Sequence, residues 1–284
     1  MELIRAAADL TAAVEERRSG GAGIGLVPTM GALHDGHASL IRRARSERDV
    51  VVVSIFVNPK QFGPGEDLSR YPRDERRDVD LAGSLGADIV WTPSVEAFYP
   101  PGVELAAPDP GAIGDVLEGA VRPGHFAGVL IAVRRLFEVV GASAAYFGEK
   151  DAQQLFLVRR MVEQLGLPHT IVACPTVREP DGLALSSRNA YLSPEEREQA
   201  GCLFLALSEA AELAKNGERD PAVIAATMAR EVGATPMASL DYAAVVDEAT
   251  FEPPDRIVAP ARALIAARFA SARLIDNLRL PAAG

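Results

Sequence analysis

Two of the four histidines in this chain stand three residues apart in a turn between a strand and a helix. The segment 28–37 reads PTMGALHDGH; it follows the short apolar run 25–29 and precedes a helical pattern over 37–48. Ligands of open parallel sheets bind where strands end, and a helix N-terminus offers unpaired N–H groups that suit phosphate. His34 and His37 add side-chain donors, and Gly36 lets the backbone come close to a ligand. The segment therefore predicts an anion site, whereas zinc would need further ligands that are not nearby in the sequence.

Two more polar segments follow predicted strands. Residues 55–63 (IFVNPKQFG) carry the amides of Asn58 and Gln61, which can hold a hydroxyl and a carboxylate without adding charge. Residues 147–155 (FGEKDAQQL) place Lys150 where it can face a phosphate, and Asp151 where it can receive a ribose hydroxyl or cap a helix. Each segment alone also fits a plain loop or a surface salt bridge.

A longer polar segment, 175–189 (PTVREPDGLALSSRN), contains two hydroxyls followed by a guanidinium. Ser186, Ser187 and Arg188 form a compact group for triphosphate oxygens, because the donors of arginine are fixed and planar. A shorter segment, 122–129 (RPGHFAGV), fits either a ligand loop or a helix start with a polar cap.

Residues 1–176 are predicted to alternate between strands and helices. β-Branched or apolar runs predict strands at 25–29, 49–58, 87–92, 144–147 and 169–177. Helical patterns lie between them at 37–48, 73–86, 126–140 and 152–165. This alternation predicts a parallel sheet wrapped by helices, with the polar segments at the ends of its strands.

Residues 177–284 predict a smaller α+β domain. Ser193 and Glu196 form a capping-box pattern with Pro194 in the first turn, which predicts a helix running to Lys215. Another helix is predicted at 221–232, and strands at 241–246 and 273–278, with an Ala-rich stretch between them.

The composition excludes several classes of function. With 284 residues, 48% hydrophobic and 24% charged, the chain predicts a soluble globular protein of two domains. The formal net charge of −10 argues against nucleic acid as a partner. No apolar run reaches the roughly 18–20 residues that span a membrane, and the N-terminus lacks a signal-peptide pattern, so we expect a cytoplasmic protein with no membrane partner. Cys174 and Cys202 have no metal-ligand spacing.

The H-x-G-H pattern at 34–37 resembles the nucleotide-binding motif of adenylyl- and cytidylyltransferases. Together the segments PTMGALHDGH, VSIFVNPKQFGPGEDLSRYPR, RPGHFAGV, FGEKDAQQL and PTVREPDGLALSSRN resemble the pantothenate synthetase family over most of residues 25–195. The resemblance implies a Rossmann-like N-terminal domain of the nucleotidylyltransferase type, a smaller C-terminal domain that closes over the active site, and a homodimer. It also implies an ATP- and Mg²⁺-dependent ligase of coenzyme A biosynthesis. Such an enzyme joins pantoate to β-alanine through a pantoyl-adenylate and releases AMP and pyrophosphate.

Carried over residue by residue, the resemblance assigns His37 as proton donor, with His34, Lys150 and Arg188 also acting on the phosphates. It assigns ATP binding to Met30, Gly31, Ala32, Leu33, His34, Asp35, Gly36, His37, Gly148, Glu149, Lys150, Asp151, Val177, Leu185, Ser186, Ser187 and Arg188. Gln61 and Gln154 would bind pantoate, with Gln61 also near β-alanine, and Asp78 is the candidate magnesium ligand.

Three departures from the family pattern concern neighbours of these residues. Ala152 stands where the pattern has tyrosine, Ile131-Ala132 where it has Thr-Val, and Lys60 where it has methionine. They bear on pocket packing and substrate affinity more than on the type of reaction.

The residues leave three alternatives open. One is a nucleotidylyltransferase that keeps AMP in its product, and another is a non-catalytic nucleotide-binding module. The third, a fragment of an aminoacyl-tRNA synthetase, is disfavoured by the acidic charge.

Overall fold

The structure is a computed structural model that describes residues 1–102, 105 and 108–281. It divides into two compact units. The first comprises Met1–Glu149 and Gln154–Pro175, and the second comprises Lys150–Gln153 and Thr176–Gly284. Within the described ranges, no helix is long and apolar enough to cross a membrane.

The first unit is built on six strands. They are β1 (Glu2–Ile4), β2 (Ile24–Thr29), β3 (Val50–Ile55), β4 (Ile89–Trp91), β5 (Ser143–Gly148) and β6 (His169–Cys174). The helices between and after them are α1 (Ala7–Ser19), α2 (Asp35–Glu47), α3 (Glu75–Ser84), α4 (Val95–Phe98), α5 (Glu118–Val121), α6 (His125–Val140) and α7 (Ala152–Gln164).

These six strands form one parallel sheet in the order β1-β4-β3-β2-β5-β6. The chain runs outward from β2 through β3 to β4 and then returns to place β5 on the other side of β2. The strand order therefore reverses between β2 and β5, which is where open α/β sheets bind ligands. The predicted parallel sheet is confirmed.

The centre of this sheet is held by apolar strands that are covered on both faces. Val51, Val52 and Val53 of β3 are fully buried, as are Leu26 and Val27 of β2. Each such side chain contributes about 1.5–3 kcal/mol relative to an exposed one. The strand ends that carry the polar segments are thus fixed by a rigid core.

The second unit is a small α+β assembly. Its helices are α8 (Pro194–Gln199), α9 (Cys202–Lys215) and α10 (Pro221–Gly233), and its strands are β7 (Ser239–Asp247), β8 (Ala261–Arg268) and β9 (Arg273–Leu280). The strands pair antiparallel in the order β7-β8-β9. Residues of α9, α10 and all three strands share one hydrophobic core, so the predicted α+β class is confirmed.

Some predicted boundaries were wrong. The helix predicted from Ser193 to Lys215 is two helices, separated at Ala200–Gly201, where Leu203 N donates to Ala200 O at 3.3 Å. Glycine has low helix propensity, which favours this interruption. The strand predicted over 169–177 ends at Cys174 because Pro175 has no N–H for the ladder. The strand predicted over 49–58 ends at Ile55.

Several elements were missed altogether, namely β1, α1, the short helices α4 and α5, and β8. The Ala-rich stretch contains β8, the central strand of the second sheet, which alanine-rich composition does not signal because alanine is depleted in strands. Strand β1 has only three residues, and α1 buries only Leu10 and Val14, so the N-terminal sequence shows little periodicity.

Candidate active site

The loop between β2 and α2 is anchored by a buried carboxylate. Asp78, on α3, is 1% exposed and accepts hydrogen bonds from the backbone N–H groups of Ala32 (2.7 Å) and Leu33 (2.8 Å). Gly31 has a φ of 80°, and a Cβ there would lie 2.9 Å from Asp78 Oδ2. A glycine is needed at this position because an L side chain would be strained and would press on the anchor.

The two histidines of this loop cap the helix that follows. His34 is the N-cap of α2: its Nδ1 accepts from Gly36 N (3.1 Å), and its own N–H donates to His37 Nδ1 (3.4 Å). The two rings lie 4.2 Å apart. Since both Nδ1 atoms accept backbone N–H groups, this hydrogen-bond network assigns the neutral rings to the tautomer with hydrogen on Nε2. Two imidazole N–H donors therefore stand at the start of a helix, beside its positive dipole end.

The next strand end positions Gln61 through Asn58. Asn58 is 2% exposed, and its Nδ2 donates to Gln61 Oε1 (3.0 Å) and to Gly128 O (2.9 Å). Its Oδ1 accepts from Lys60 N (3.1 Å) and from the hydroxyl of Tyr99 (2.8 Å). Gln61 Nε2 in turn lies 3.0 Å from Met30 Sδ, in the β2–α2 loop. The structure thus brings Gln61 and Met30 together at neighbouring strand ends.

Helix α6 packs directly against this segment at Gly128. A Cβ at Gly128 would lie 2.0 Å from Lys60 O and 2.7 Å from Gln61 N. Both are backbone atoms, which cannot move aside as a flexible side chain can. The close approach of α6 therefore fixes the position of the Gln61 backbone.

A buried histidine and an ion pair hold the carbonyl of Gln61. His125 Nδ1 lies 2.8 Å from Gln61 O, and His125 Nε2 lies 2.9 Å from Arg122 Nη1. Arg122 also donates to Gln61 O (3.3 Å) and to both oxygens of Glu66 (2.7 and 3.1 Å). Burial raises the pKa of Glu66, but the hydrogen bond and charge of Arg122 outweigh it and lower that pKa overall. This network, Glu66–Arg122–His125, fixes the backbone of Gln61.

The same contacts require His125 to be neutral. Its Nδ1 donates and its Nε2 accepts, and burial together with the charge of Arg122 lowers its pKa from 6.5 to about 4. A folded-state pKa below the unfolded one means that the unfolded chain binds more protons between these values. Stability from His125 is therefore complete above pH 6.5 and is lost as the pH falls toward 4.

The site residues predicted at the end of β5 lie on the strand that pairs with β2. Gly148 is the last residue of β5, and Glu149–Asp151 form one 3-10 turn before α7. Gln154 lies half-buried in the first turn of α7. Lys150 and Asp151 group with the second compact unit, as do Val177 and residues 185–188.

The segment that contains Val177 folds back on itself. Leu185 N donates to Val177 O (3.0 Å), and Glu179 N donates to Leu183 O (2.9 Å). Ser186 caps a 3-10 helix over Ser187–Tyr191, and its Oγ accepts from Arg188 N (3.2 Å). A hydroxyl that accepts one hydrogen bond can still donate its own proton to another group. The structure brings together the two ends of the segment predicted to bind ATP.

The carboxylate of Asp78 is held as a loop anchor, and its assignment as the magnesium ligand stays a prediction. Both of its oxygens accept backbone N–H groups in a buried position. No group of three or more His, Cys, Asp or Glu side chains suited to a metal is found among residues 1–102, 105 and 108–281. The geometry favours a loop anchor.

The sequence did not reveal the supporting residues. Tyr99, Glu66, Arg122 and His125 act through Asn58 or Gln61, and their positions along the chain carry no spacing signal. The one available signal is polar character next to a buried strand end or helix start, as in the segment 122–129.

Comparisons with known proteins agree with this geometry. The family model described as Pantoate-beta-alanine ligase matches residues 2–279. The chain is 51% identical to a pantothenate synthetase of Roseiflexus castenholzii over 259 residues, covering 91% of this chain and 93% of that one. It is 48% identical to the pantothenate synthetase of Moorella thermoacetica over 280 residues, covering 99% of each.

Solved structures give the same result. A pantothenate synthetase of Thermus thermophilus superposes with a TM-score of 0.92 at 49% identity, covering 99% of this chain and 100% of that one. A pantoate-beta-alanine ligase of Francisella tularensis, complexed with Beta-gamma ATP and Beta-alanine, superposes with a TM-score of 0.78 at 33% identity, covering 98% and 97%. Of the alternatives that the sequence left open, these matches support the ligase. The chain belongs to the pantoate–β-alanine ligase family and is a ligase.

Proposed function

We propose that this chain condenses pantoate with β-alanine at the expense of ATP, through a pantoyl-adenylate, and releases AMP and pyrophosphate. The observation that carries the proposal is the pair of Nε2–H donors of His34 and His37 at the N-terminus of α2, beside the reversal of strand order. Family membership and the ATP and β-alanine bound to the relative from Francisella tularensis support it.

The phosphates of ATP need donors, and the chain offers several. The loop Met30–His37 combines a helix N-terminus with two imidazoles, of which His37 is the proposed proton donor. Lys150 and Arg188 add positive charge, and Ser186 and Ser187 add hydroxyls. We assign Gly148 to Asp151, Val177 and Leu185 to the remaining nucleotide contacts on the basis of the resemblance.

Pantoate is a small hydroxy acid, and amide side chains suit it. Gln61 is held at both its side chain and its carbonyl, so its amide is pre-organised for a hydroxyl or carboxylate. Gln154, on α7, supplies the second proposed amide. Loss of the contacts that hold Gln61 should weaken pantoate binding and turnover together.

The chemistry proceeds in two steps. A carboxylate oxygen of pantoate attacks the α-phosphorus, and the bond to pyrophosphate breaks. The neutral amine of β-alanine then attacks the carbonyl carbon, the carbon–oxygen bond to AMP breaks, and the nitrogen releases one proton. Neither step needs a covalent enzyme intermediate, so the protein acts by positioning and by stabilising charge. Removal of one donor to the developing charge should cost about 2.7–4 kcal/mol of transition-state stabilisation.

Four further features are also proposals. The resemblance to the family supports the Mg²⁺ dependence and the homodimer. The sequence pattern supports the cytoplasmic location and the functional division into domains at 176/177.

The test is product formation from ATP and Mg²⁺ with pantoate and β-alanine added separately and together. We expect pyrophosphate with pantoate alone, and AMP with pantothenate only when both are present. His37→Ala should reduce the rate by about 100-fold or more. His169→Gln, which changes a histidine at the start of β6, is the matched control and should retain activity. A folded wild-type protein that binds ATP but forms no AMP under any of these conditions would refute the proposal.

A further inference from the structure

Two adjacent polar residues of the last strand are both buried. Asp276 and Asn277, in β9, are each 3% exposed. Successive side chains of a strand point to opposite faces, so these two enter different surroundings. Burial of polar groups is costly unless they are hydrogen-bonded, and both are. Their partners lie in segments far away along the chain.

Asn277 holds the backbone of Lys150. Its Nδ2 donates to Lys150 O at 2.8 Å, and its Oδ1 accepts from Arg262 Nη1. Arg262, on β8, is 7% exposed and is itself held by Glu248, with Nε 3.0 Å from Oε1. Because the guanidinium can only donate, it fixes the amide with its oxygen toward Arg262 and its NH₂ group toward Lys150.

Asp276 holds Arg178. Arg178 donates to both carboxylate oxygens, at 2.6 and 3.0 Å, and also to Gly182 O (3.0 Å) and Asn277 O (3.2 Å). Its guanidinium lies 4.5 Å from the centre of the Phe204 ring. Arg178 stands at the base of the folded-back segment, next to Val177. The two NH₂ groups of this planar guanidinium therefore both donate to the anchor.

We propose that Asp276 and Asn277 form a positioning pair for the nucleotide site. Asn277 sets the backbone of Lys150, and Asp276 sets the segment 177–188 through Arg178. The inference rests on the proposed function, under which both of these segments bind ATP. Neither residue is a catalytic residue, since each acts through another group. The pair gives the C-terminal strand a defined part in ATP binding.

The test uses variants of the full-length chain that preserve shape. Asn277→Asp replaces the donor to Lys150 O by an acceptor while keeping an acceptor for Arg262. Asp276→Asn removes the charge opposite Arg178. The matched control is Asp241→Asn: Asp241 accepts from Arg268 (2.8 Å) and Arg273 (2.5 Å) in the same sheet.

The readouts are the Kd for ATP by calorimetry, the KM values for ATP and β-alanine, and the thermal unfolding midpoint. We expect both variants to raise the Kd and KM for ATP about tenfold, the scale of one ordinary hydrogen bond, with the KM for β-alanine within about twofold. Because Asp276 and Asn277 are buried, both variants should also lower the unfolding midpoint below that of Asp241→Asn, so the selective loss of ATP binding over β-alanine binding is the deciding readout. Asn277→Ser, which shortens the side chain, provides a second variant if Asn277→Asp does not fold.

Two results would overturn the inference. One is that every Asp276 and Asn277 variant binds ATP with the same Kd as Asp241→Asn. The other is a parallel loss for all substrates together with a fall in unfolding midpoint, which would indicate a purely structural role. A wild-type protein that binds ATP but does not form pantothenate would refute the proposed function instead, and the Kd values would still decide the positioning role.

Discussion

Replacement of Asp78 by asparagine should destabilise the first compact unit even without metal. The carboxylate accepts two backbone N–H groups at 2.7 and 2.8 Å, and it is 1% exposed. A hydrogen bond to a charged group contributes about 1.5–3 kcal/mol. Asparagine keeps one acceptor oxygen but turns its NH₂ group toward the other N–H, so one bond is lost and the second loses its charge. We expect the free energy of unfolding to fall by about 2–4 kcal/mol.

The chain provides its own reporter and control for this experiment. Trp91 is the only tryptophan and is fully buried in the first unit, so urea unfolding followed by its fluorescence reports on that unit. Asp80→Asn changes a carboxylate on the same helix that is 73% exposed and lies 4.0 Å from Arg76. This control should shift the free energy of unfolding by no more than about 0.5 kcal/mol.

The measurement, made in EDTA, separates two roles for Asp78. If Asp78 is a loop anchor, Asp78→Asn should be less stable than the wild type in EDTA. With Mg²⁺ present it should also lose ligase activity, because the loop Met30–His37 is released. If Asp78 is a magnesium ligand, the variant should keep its stability in EDTA and need a several-fold higher Mg²⁺ concentration for half-maximal activity. Equal unfolding free energies for Asp78→Asn and Asp80→Asn, with a raised Mg²⁺ requirement, would refute the anchor.

Three further predictions concern stability. Between pH 6.5 and 4, the wild type should lose on the order of 3 kcal/mol through His125, whose pKa falls from 6.5 to about 4, and His125→Gln should flatten that slope in urea titrations. Gly128→Ala should lower the free energy of unfolding by about 1–3 kcal/mol, because its Cβ would meet Lys60 O at 2.0 Å; a gain of about 1 kcal/mol, as helix propensity alone predicts, would contradict this packing. Ser193→Ala should cost about 1 kcal/mol through loss of the α8 cap, measured by thermal unfolding against Ser208→Ala.

The sequence was sufficient for five of the six strands of the parallel sheet because their signals were local. The run Val50–Ile55 is β-branched and buried on both faces, and Ser193 and Glu196 form the predicted capping box. It was insufficient for β8, where alanine lacks strand propensity and only the pairing with β7 and β9 makes a strand. Long-range pairing decides such a segment, and no local pattern carries that information.

The candidate site divides in the same way. Residues at strand ends, such as His34, His37 and Gln61, were predicted from position and type. Their supports were not, because the contacts join distant parts of the chain: Asp78 to Ala32, and Asn277 to Lys150. In the sequence, such a supporting residue is marked only by its polar character within a strand or helix that is otherwise apolar.

The most direct test of the account follows the oxygen atoms of pantoate. With both carboxylate oxygens of pantoate labelled with ¹⁸O, the proposed adenylate transfers one labelled oxygen to AMP, because the carbon–oxygen bond breaks in the second step. Mass spectrometry should therefore find one ¹⁸O in each AMP formed with pantothenate, and one in the amide carbonyl of the product. AMP that carries no label, in a reaction that still forms pantothenate, would contradict a pantoyl-adenylate intermediate.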